Sequence, residues 1–332
     1  MGEKTLTVTV PAYNAEKFLN RGIPSMLDDR ILNEIEILII NDGSNDRTAE
    51  IANTYQEKYR ETVKAIHKKN GGHGSAVNAG IENATAKYFC VIDADDWVDK
   101  NSFVELVLYL KHANVDLVLS DAQKVDEEDR KIADMKISNM PVRKETDLDK
   151  YIEKMQNIEM HNIVFKTKLL QENNIKIDEH CYYVDQEYVL FTLLHVKTVT
   201  YSNLLVYHYY VGRNGQSVSI ESRRKNIKMY EKVCDVLVNF YHDNKKSMSQ
   251  QREKFYQKKI AIHIGGLYST YLSYNTTDAK EKMIQYDNKL KHLDQEIYIA
   301  NEYLSIDMLR KSKFCLYSIE SFIYRKINHI KN

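Results

Sequence analysis

Three carboxylates stand almost side by side in the stretch Lys87-Tyr88-Phe89-Cys90-Val91-Ile92-Asp93-Ala94-Asp95-Asp96-Trp97. Asp93, Asp95 and Asp96 follow directly on an apolar, β-branched and aromatic run of strand length. A run of that kind reads as a buried parallel strand. In open α/β sheets, ligands sit beyond the carboxyl ends of the strands. Like charges this close need a positive partner, and a divalent cation such as Mg²⁺ or Mn²⁺, shared with a substrate's phosphates, would supply it. The other reading is an acidic turn whose carboxylates cap a following helix over residues 99–110. The stretch by itself leaves both open.

The elements before this turn repeat one plan. Residues 5–10 read as a strand ending at Pro11-Ala12-Tyr13-Asn14, followed by a helix over 16–27. Residues 36–40 read as a second strand ending at Asn41-Asp42-Gly43-Ser44-Asn45-Asp46, followed by a helix over 47–59 with Ser44 or Asp46 as its cap. A third short strand over 62–67 leads into Asn70-Gly71-Gly72-His73-Gly74-Ser75 and a helix over 76–83. Strand–helix alternation implies right-handed crossovers and a mostly parallel sheet, so all four loops fall on one edge. Each loop carries chemistry with an ordinary alternative. Tyr13 could stack on a nucleobase or cap the core. Asp42 could accept from a base N–H or simply form a turn. The glycine-rich loop before a helix favours phosphate, or is a flexible turn.

Further on, residues 115–120 read as another strand and 121–149 as an exposed excursion. Residues 151–170 read as a helix packed on the sheet, and 197–210 as a strand leading into a Gly- and Ser-containing loop. Between them, Tyr182-Tyr183-Val184-Asp185-Gln186-Glu187-Tyr188 is aromatic with two acids inside. From residue 221 the pattern changes to long helices with few breakers.

Across 332 residues, Lys plus Arg equals Asp plus Glu at 47 each, so no overall field favours nucleic acid or a membrane surface. The four cysteines, Cys90, Cys181, Cys234 and Cys315, form neither a CxxC pair nor a disulfide framework. No signal-peptide pattern opens the chain and no stretch is apolar enough for a membrane span, so a cytoplasmic location is expected.

Taken together, the four loops resemble the inverting glycosyltransferases of family 2, which have the GT-A nucleotide-sugar fold. The matching stretches are Val8-Thr9-Val10-Pro11-Ala12-Tyr13-Asn14, Ile40 to Asp46, Asn70 to Gly80, and Asp93-Ala94-Asp95-Asp96-Trp97. The resemblance implies an α/β GT-A domain over residues 1–220, with a nucleotide-sugar-binding half at 1–120 and an acceptor-binding half at 121–220. A helical C-terminal region would follow at 221–332. It implies that Pro11, Tyr13 and Asp42 hold the base of a nucleoside diphosphate sugar, usually uridine, and that Gly71, Gly72 and Asn78 lie along the nucleotide and its phosphates. Asp93 would lie toward ribose or metal, and Asp95 would bind the divalent cation, Mn²⁺ or Mg²⁺. Asp185 would be the general base, with Glu187 as its alternate. Arg213 and Ser217 would belong to a loop closing over the diphosphate, and His208 would be an extra metal ligand or diphosphate contact. Two positions depart from the family pattern: Asn41 stands where Asp is more usual, and Val77 precedes Asn78 where Arg is common.

The expected reaction is transfer of one sugar from a UDP-type donor to an acceptor hydroxyl on a glycan, glycolipid or glycoprotein. A sugar nucleotidyltransferase is the weaker rival, because Pro11-Ala12-Tyr13-Asn14 is not a glycine-rich, Arg-containing loop. A catalytically silent protein of the same fold is the other. In the tail, Leu316, Ile319, Phe322, Ile323, Ile327 and Ile330 recur at helical spacing beside Arg325, Lys326 and Lys331. Such a helix suits the inner face of an anionic membrane, its own domain, or a second copy in a homodimer.

Overall fold

The computed structural model describes residues 3–137, 139–155, 158–212 and 216–330. Two β-branched runs form its centre: β1 (Leu6–Ala12), in which every residue is buried, and β2 (Ile35–Asp42), in which only Glu36 is not. Such burial on both faces is what parallel strands covered by helices require. Between them runs α1 (Leu19–Met26). Then come α2 (Thr48–Lys58), β3 (Val63–Lys68), α3 (His73–Asn83), β4 (Tyr88–Val91), β5 (Trp97–Val98) and α4 (Lys100–His112). β1 pairs in parallel with β2 and β4, and β2 with β3, so the loops after β1, β2, β3 and β4 share one sheet edge.

The second half of the sheet is mixed. It holds β6 (Leu117–Val125), β7 (Lys131–Met135), β8 (Thr146–Asp147), β9 (Ile163–Lys166) and β10 (Thr198–Tyr210), with helices α5 (Thr167–Glu172) and α6 (Asp185–Leu193). The strand order is β3-β2-β1-β4-β9-β6-β10-β5, with β7 on β6 and β8 on β10. Two expectations fail here. The segment 151–170 is not one helix: among the described residues, short 3₁₀ turns lead into β9, inserted antiparallel between β4 and β6, and only 167–170 are helical, in α5. Four residues, Ile163-Val164-Phe165-Lys166, are too few to show a period, so their β-branched character is the only local signal. Part of the expected excursion at 121–149 instead extends β6 and pairs β7 against it.

The chain divides into two units, Met1–Asn214 and Gly215–Asn332, six residues before the expected boundary. The expected division at 120/121 falls within β6. The second unit is helical: α7 (Ile220–Lys225), α8 (Ile227–Asn244), α9 (Gln250–Leu272), α10 (Thr277–Leu293), α11 (Gln295–Ile299), α12 (Leu304–Lys311) and α13 (Tyr317–Ile327). α8, α10, α11 and α13 all pack on α9, whose Tyr256, Ile260, Leu267, Tyr268 and Tyr271 are buried. Gly265 of α9 lies where the Tyr303 ring passes, leaving no room for a Cβ.

Candidate active site

The loops after β1 and β2 are tied together. Asp46 accepts from the backbone N–H groups of Glu16 (3.1 Å) and Thr48 (3.0 Å), and Asn14 Oδ1 accepts from Asn45 N (2.9 Å). Pro11 is buried inside β1, while the Tyr13 ring is 53 % exposed and open to a flat partner. Asp42 is 2 % exposed, and its carboxylate already has several donors. Lys68 Nζ reaches it at 2.8 Å, Gly71 N at 3.0 Å and Gly72 N at 2.7 Å. Its contact here is therefore with the glycine loop rather than open to a base.

The glycine loop is pinned from the other side by the segment 177–181. The Asn78 amide donates to Ile177 O (2.9 Å) and accepts from Ile177 N (3.0 Å). That makes it a staple between α3 and this segment, a different task from lying along the phosphates. Gly72 has φ +84°, a left-handed conformation favouring glycine, and at Gly74 the Asp178 carbonyl leaves no space for a Cβ.

Asp99, not the carboxylates of the acidic turn, caps α4, accepting from Ser102 N at 2.8 Å. The capping reading of Asp93, Asp95 and Asp96 thus falls away. Asp96 is 1 % exposed and is held by the Tyr207 hydroxyl (2.6 Å) and Tyr210 N (2.8 Å). Burial, reinforced by Asp95 and Asp93, pushes its pKa well above the usual carboxylate range. The same Tyr207 oxygen accepts from Asp93 N at 3.1 Å, so β10 fixes the turn's backbone.

Two histidines that the sequence reading did not assign complete the cluster. His73, the first residue of α3, bonds Asp93 Oδ1 through Nε2 at 2.9 Å. Burial opposes its charge, but Asp93, Asp185 and Asp95 outweigh burial and raise its pKa. His161 stacks on Tyr209 (centroids 4.4 Å apart, 22° between planes) and meets Tyr207 edge-on (4.8 Å). One ligand atom each from Asp93, Asp96 and His161 lie within 4.8 Å of one another, while Asp95 is not in this group. The only signal for His73 was its place in the glycine motif, and His161 lay inside the expected helix.

Asp185 opens α6 and is part-buried. Burial and the neighbouring Glu159 charge raise its pKa, against Gln186 and His73, which lower it. A carboxylate made more basic in this way suits proton abstraction. Glu187 is 0 % exposed and accepts from Asp178 N at 2.8 Å, so it anchors the segment before α6. His208, expected as an extra metal ligand or diphosphate contact, has both ring nitrogens facing other side chains. Nδ1 faces Asp129 Oδ1 at 3.0 Å and Nε2 faces Gln123 Nε2 at 3.1 Å, with the ring edge against Trp97. Ser217 lies in the turn before α7, in the second unit, and Arg213 lies outside the described residues.

A mixed sheet whose parallel half presents an acidic turn and a glycine loop, beside a carboxylate-headed helix, has the layout of a GT-A type nucleotide-sugar fold. The family model for glycosyl transferase family 2 matches residues 7–174, and the chain belongs to that family. It is 37% identical over 113 residues to the uncharacterized glycosyltransferase EpsJ of Bacillus subtilis (strain 168), covering 34% of this chain and 32% of that one. It is 25% identical over 218 residues to poly(ribitol-phosphate) beta-glucosyltransferase of Bacillus spizizenii, covering 65% of this chain and 33% of that one. The matches thus span about a third of these relatives' length. The crystal structure of S. aureus TarS 1-349 in complex with UDP-GlcNAc superposes with a TM-score of 0.68 at 17% identity, covering 97% of this chain and 91% of that one. That likeness is one of fold. Among the described residues, no helix is long and apolar enough to cross a membrane.

Proposed function

We propose that this glycosyltransferase moves one sugar from a UDP-linked donor to an acceptor hydroxyl with inversion. The observation that carries the reading is the placement of Asp185 at the head of α6 beside the acidic turn: His73 bonds Asp93 and feels the charge of Asp185. Asp185 takes the acceptor proton as the hydroxyl attacks. Tyr13 offers an exposed ring for the base, while the loop at Gly71 and Gly72 and the start of α3 lie along the diphosphate. Asp93 and Asp95 hold a divalent cation, Mn²⁺ or Mg²⁺, which when bound offsets charge on the departing diphosphate. Oxygen donors at this turn suit either ion. UDP as the carrier rests on the TarS complex with UDP-GlcNAc, and metal use also on a distant mannosyltransferase solved with GDP-Man and Mn²⁺.

The acceptor belongs to a cell-surface polysaccharide or glycoconjugate. The second unit supports a place at the membrane surface. On α13, Ile319, Phe322, Ile323 and Ile327 are exposed, with Lys326 on the same helix also exposed, while Tyr317, Glu320 and Ser321 are buried. Basic residues beside an outward apolar face fit an anionic bilayer.

A panel of nucleotide sugars, assayed for hydrolysis and transfer with and without Mn²⁺, tests the reaction. Mn²⁺-dependent turnover of a UDP-sugar that disappears in Asp185→Asn is expected. Equal turnover by Asp185→Asn, with Glu187→Gln inactive, would move the base to Glu187.

A further inference from the structure

The pairing of β9 with β4 does more than widen the sheet. Their antiparallel register sets Tyr88 against Lys166 and Phe89 against Phe165. Just ahead of β9, the 3₁₀ turn Met160–Asn162 carries His161, one of whose ring nitrogens lies within 4.8 Å of carboxylate oxygens of Asp93 and Asp96. His161 thus arrives at the acidic turn from the approach to β9, a strand that the alternating first third of the chain does not contain. Its backbone is fixed by the next residue: buried Asn162 donates from Nδ2 to Ser120 O and Met135 O, both at 3.0 Å. Its ring is fixed by Tyr209 and Tyr207.

These ring contacts leave one nitrogen of His161, Nδ1, shielded from solvent and without a hydrogen bond among the described residues. A buried imidazole nitrogen left without a partner is costly unless something else fills the role. One ring nitrogen of His161 and one carboxylate oxygen each from Asp93 and Asp96 lie within 4.8 Å of one another. Donors about 2.1 Å from an ion stand at most about 4.2 Å apart, so these groups would close in slightly on a shared cation. Asp96 already accepts from the Tyr207 hydroxyl and Tyr210 N, which makes it a supporting charge beside Asp93, whose Oδ1 also meets His73 Nε2.

We propose that His161 coordinates the divalent cation together with Asp93, making this a mixed oxygen and nitrogen site that favours Mn²⁺ over Mg²⁺. The proposal rests on the reading that a cation serves the acidic turn, and adds a ligand to it. Mg²⁺ prefers carboxylate, phosphate and water oxygens, whereas imidazole suits the later first-row ions, so the nitrogen sets the preference.

Electron spin-echo envelope modulation on the full chain loaded with Mn²⁺ and UDP tests this without reference to turnover. Wild type is expected to show ¹⁴N coupling from a directly bound imidazole. His161→Gln is expected to lose it and to bind Mn²⁺ at least tenfold more weakly by calorimetry, with Mg²⁺ affinity changed much less. His73→Gln, which alters the other histidine beside Asp93, should keep the coupling. Wild type binding Mn²⁺ without ¹⁴N coupling, or coupling that survives in His161→Gln, overturns the proposal and leaves the glycosyltransferase reading intact. Absence of any Mn²⁺ binding with UDP overturns the cation reading as well. The wild-type spectrum decides the matter even where His161→Gln fails to fold.

Discussion

In the proposed reaction Asp185 takes the acceptor proton, and its surroundings fix how it responds to pH. Burial and Glu159 raise its pKa, so the carboxylate forms at higher pH than in an ordinary aspartate. The acid limb of kcat/KM should lie correspondingly high, with activity lost as pH falls through the raised pKa. Asp185→Asn should abolish that limb and lower kcat on the order of 10²- to 10⁴-fold, while UDP titrates unchanged. The stability sign runs the other way. A carboxyl whose pKa is raised on folding favours the fold when protonated, and that contribution fades as pH rises from the unfolded value through the folded one. Asp185→Asn should therefore melt no lower than wild type at neutral pH, and a clear fall would make the side chain structural. Asp93, Asp95 and Asp185 stand out in the sequence because they are carboxylates beside apolar or aromatic runs, and their roles rest on the proposed reading. His161 was not legible, since its place depends on the pairing of β9 with β4. His208 read as a ligand by its neighbours in sequence, but Asp129 and Gln123 take it in space.

At the scale of elements, the alternation of strand and helix through the first 112 residues was plain from periodicity and loop chemistry. β9 was hidden because four residues carry no period and their partners are distant in sequence. The same long-range logic governs the glycine loop, where segment 177–181 closes on Gly71 and Gly74. Gly74→Ala would drive a methyl into the Asp178 carbonyl, and a loss of about 1–3 kcal/mol is expected for forcing atoms into a packed site. Chemical denaturation measures that loss, and transfer should suffer with it because the displaced segment leads to Asp185. A stability within error of wild type would mean the segment yields easily. For α13, sedimentation with vesicles should show binding to phosphatidylglycerol and not to phosphatidylcholine alone. Phe322→Glu and Ile323→Glu should release the protein without lowering turnover of a soluble acceptor. Light scattering that finds a dimer dissociated by the same substitutions would instead assign the face to a second copy.

For the whole molecule, the sequence carried the division into a nucleotide-sugar fold and a helical region, because the change from short alternating runs to long helices is a change of period. The donor sugar, acceptor and linkage were beyond its reach, since they depend on side chains brought together from β6, β9, β10 and α6. A ligand bound only by the folded state stabilises it by about 2.7 kcal/mol at a hundredfold excess over Kd. UDP with Mn²⁺ should therefore raise the melting temperature of the full chain, and UDP with EDTA should do so much less. The most direct measurement is a calorimetric titration of UDP into wild type, Asp95→Ala and Asp185→Asn in Mn²⁺. Mn²⁺-dependent binding is expected in wild type and in Asp185→Asn, with none in Asp95→Ala. Undiminished affinity in Asp95→Ala would contradict the account.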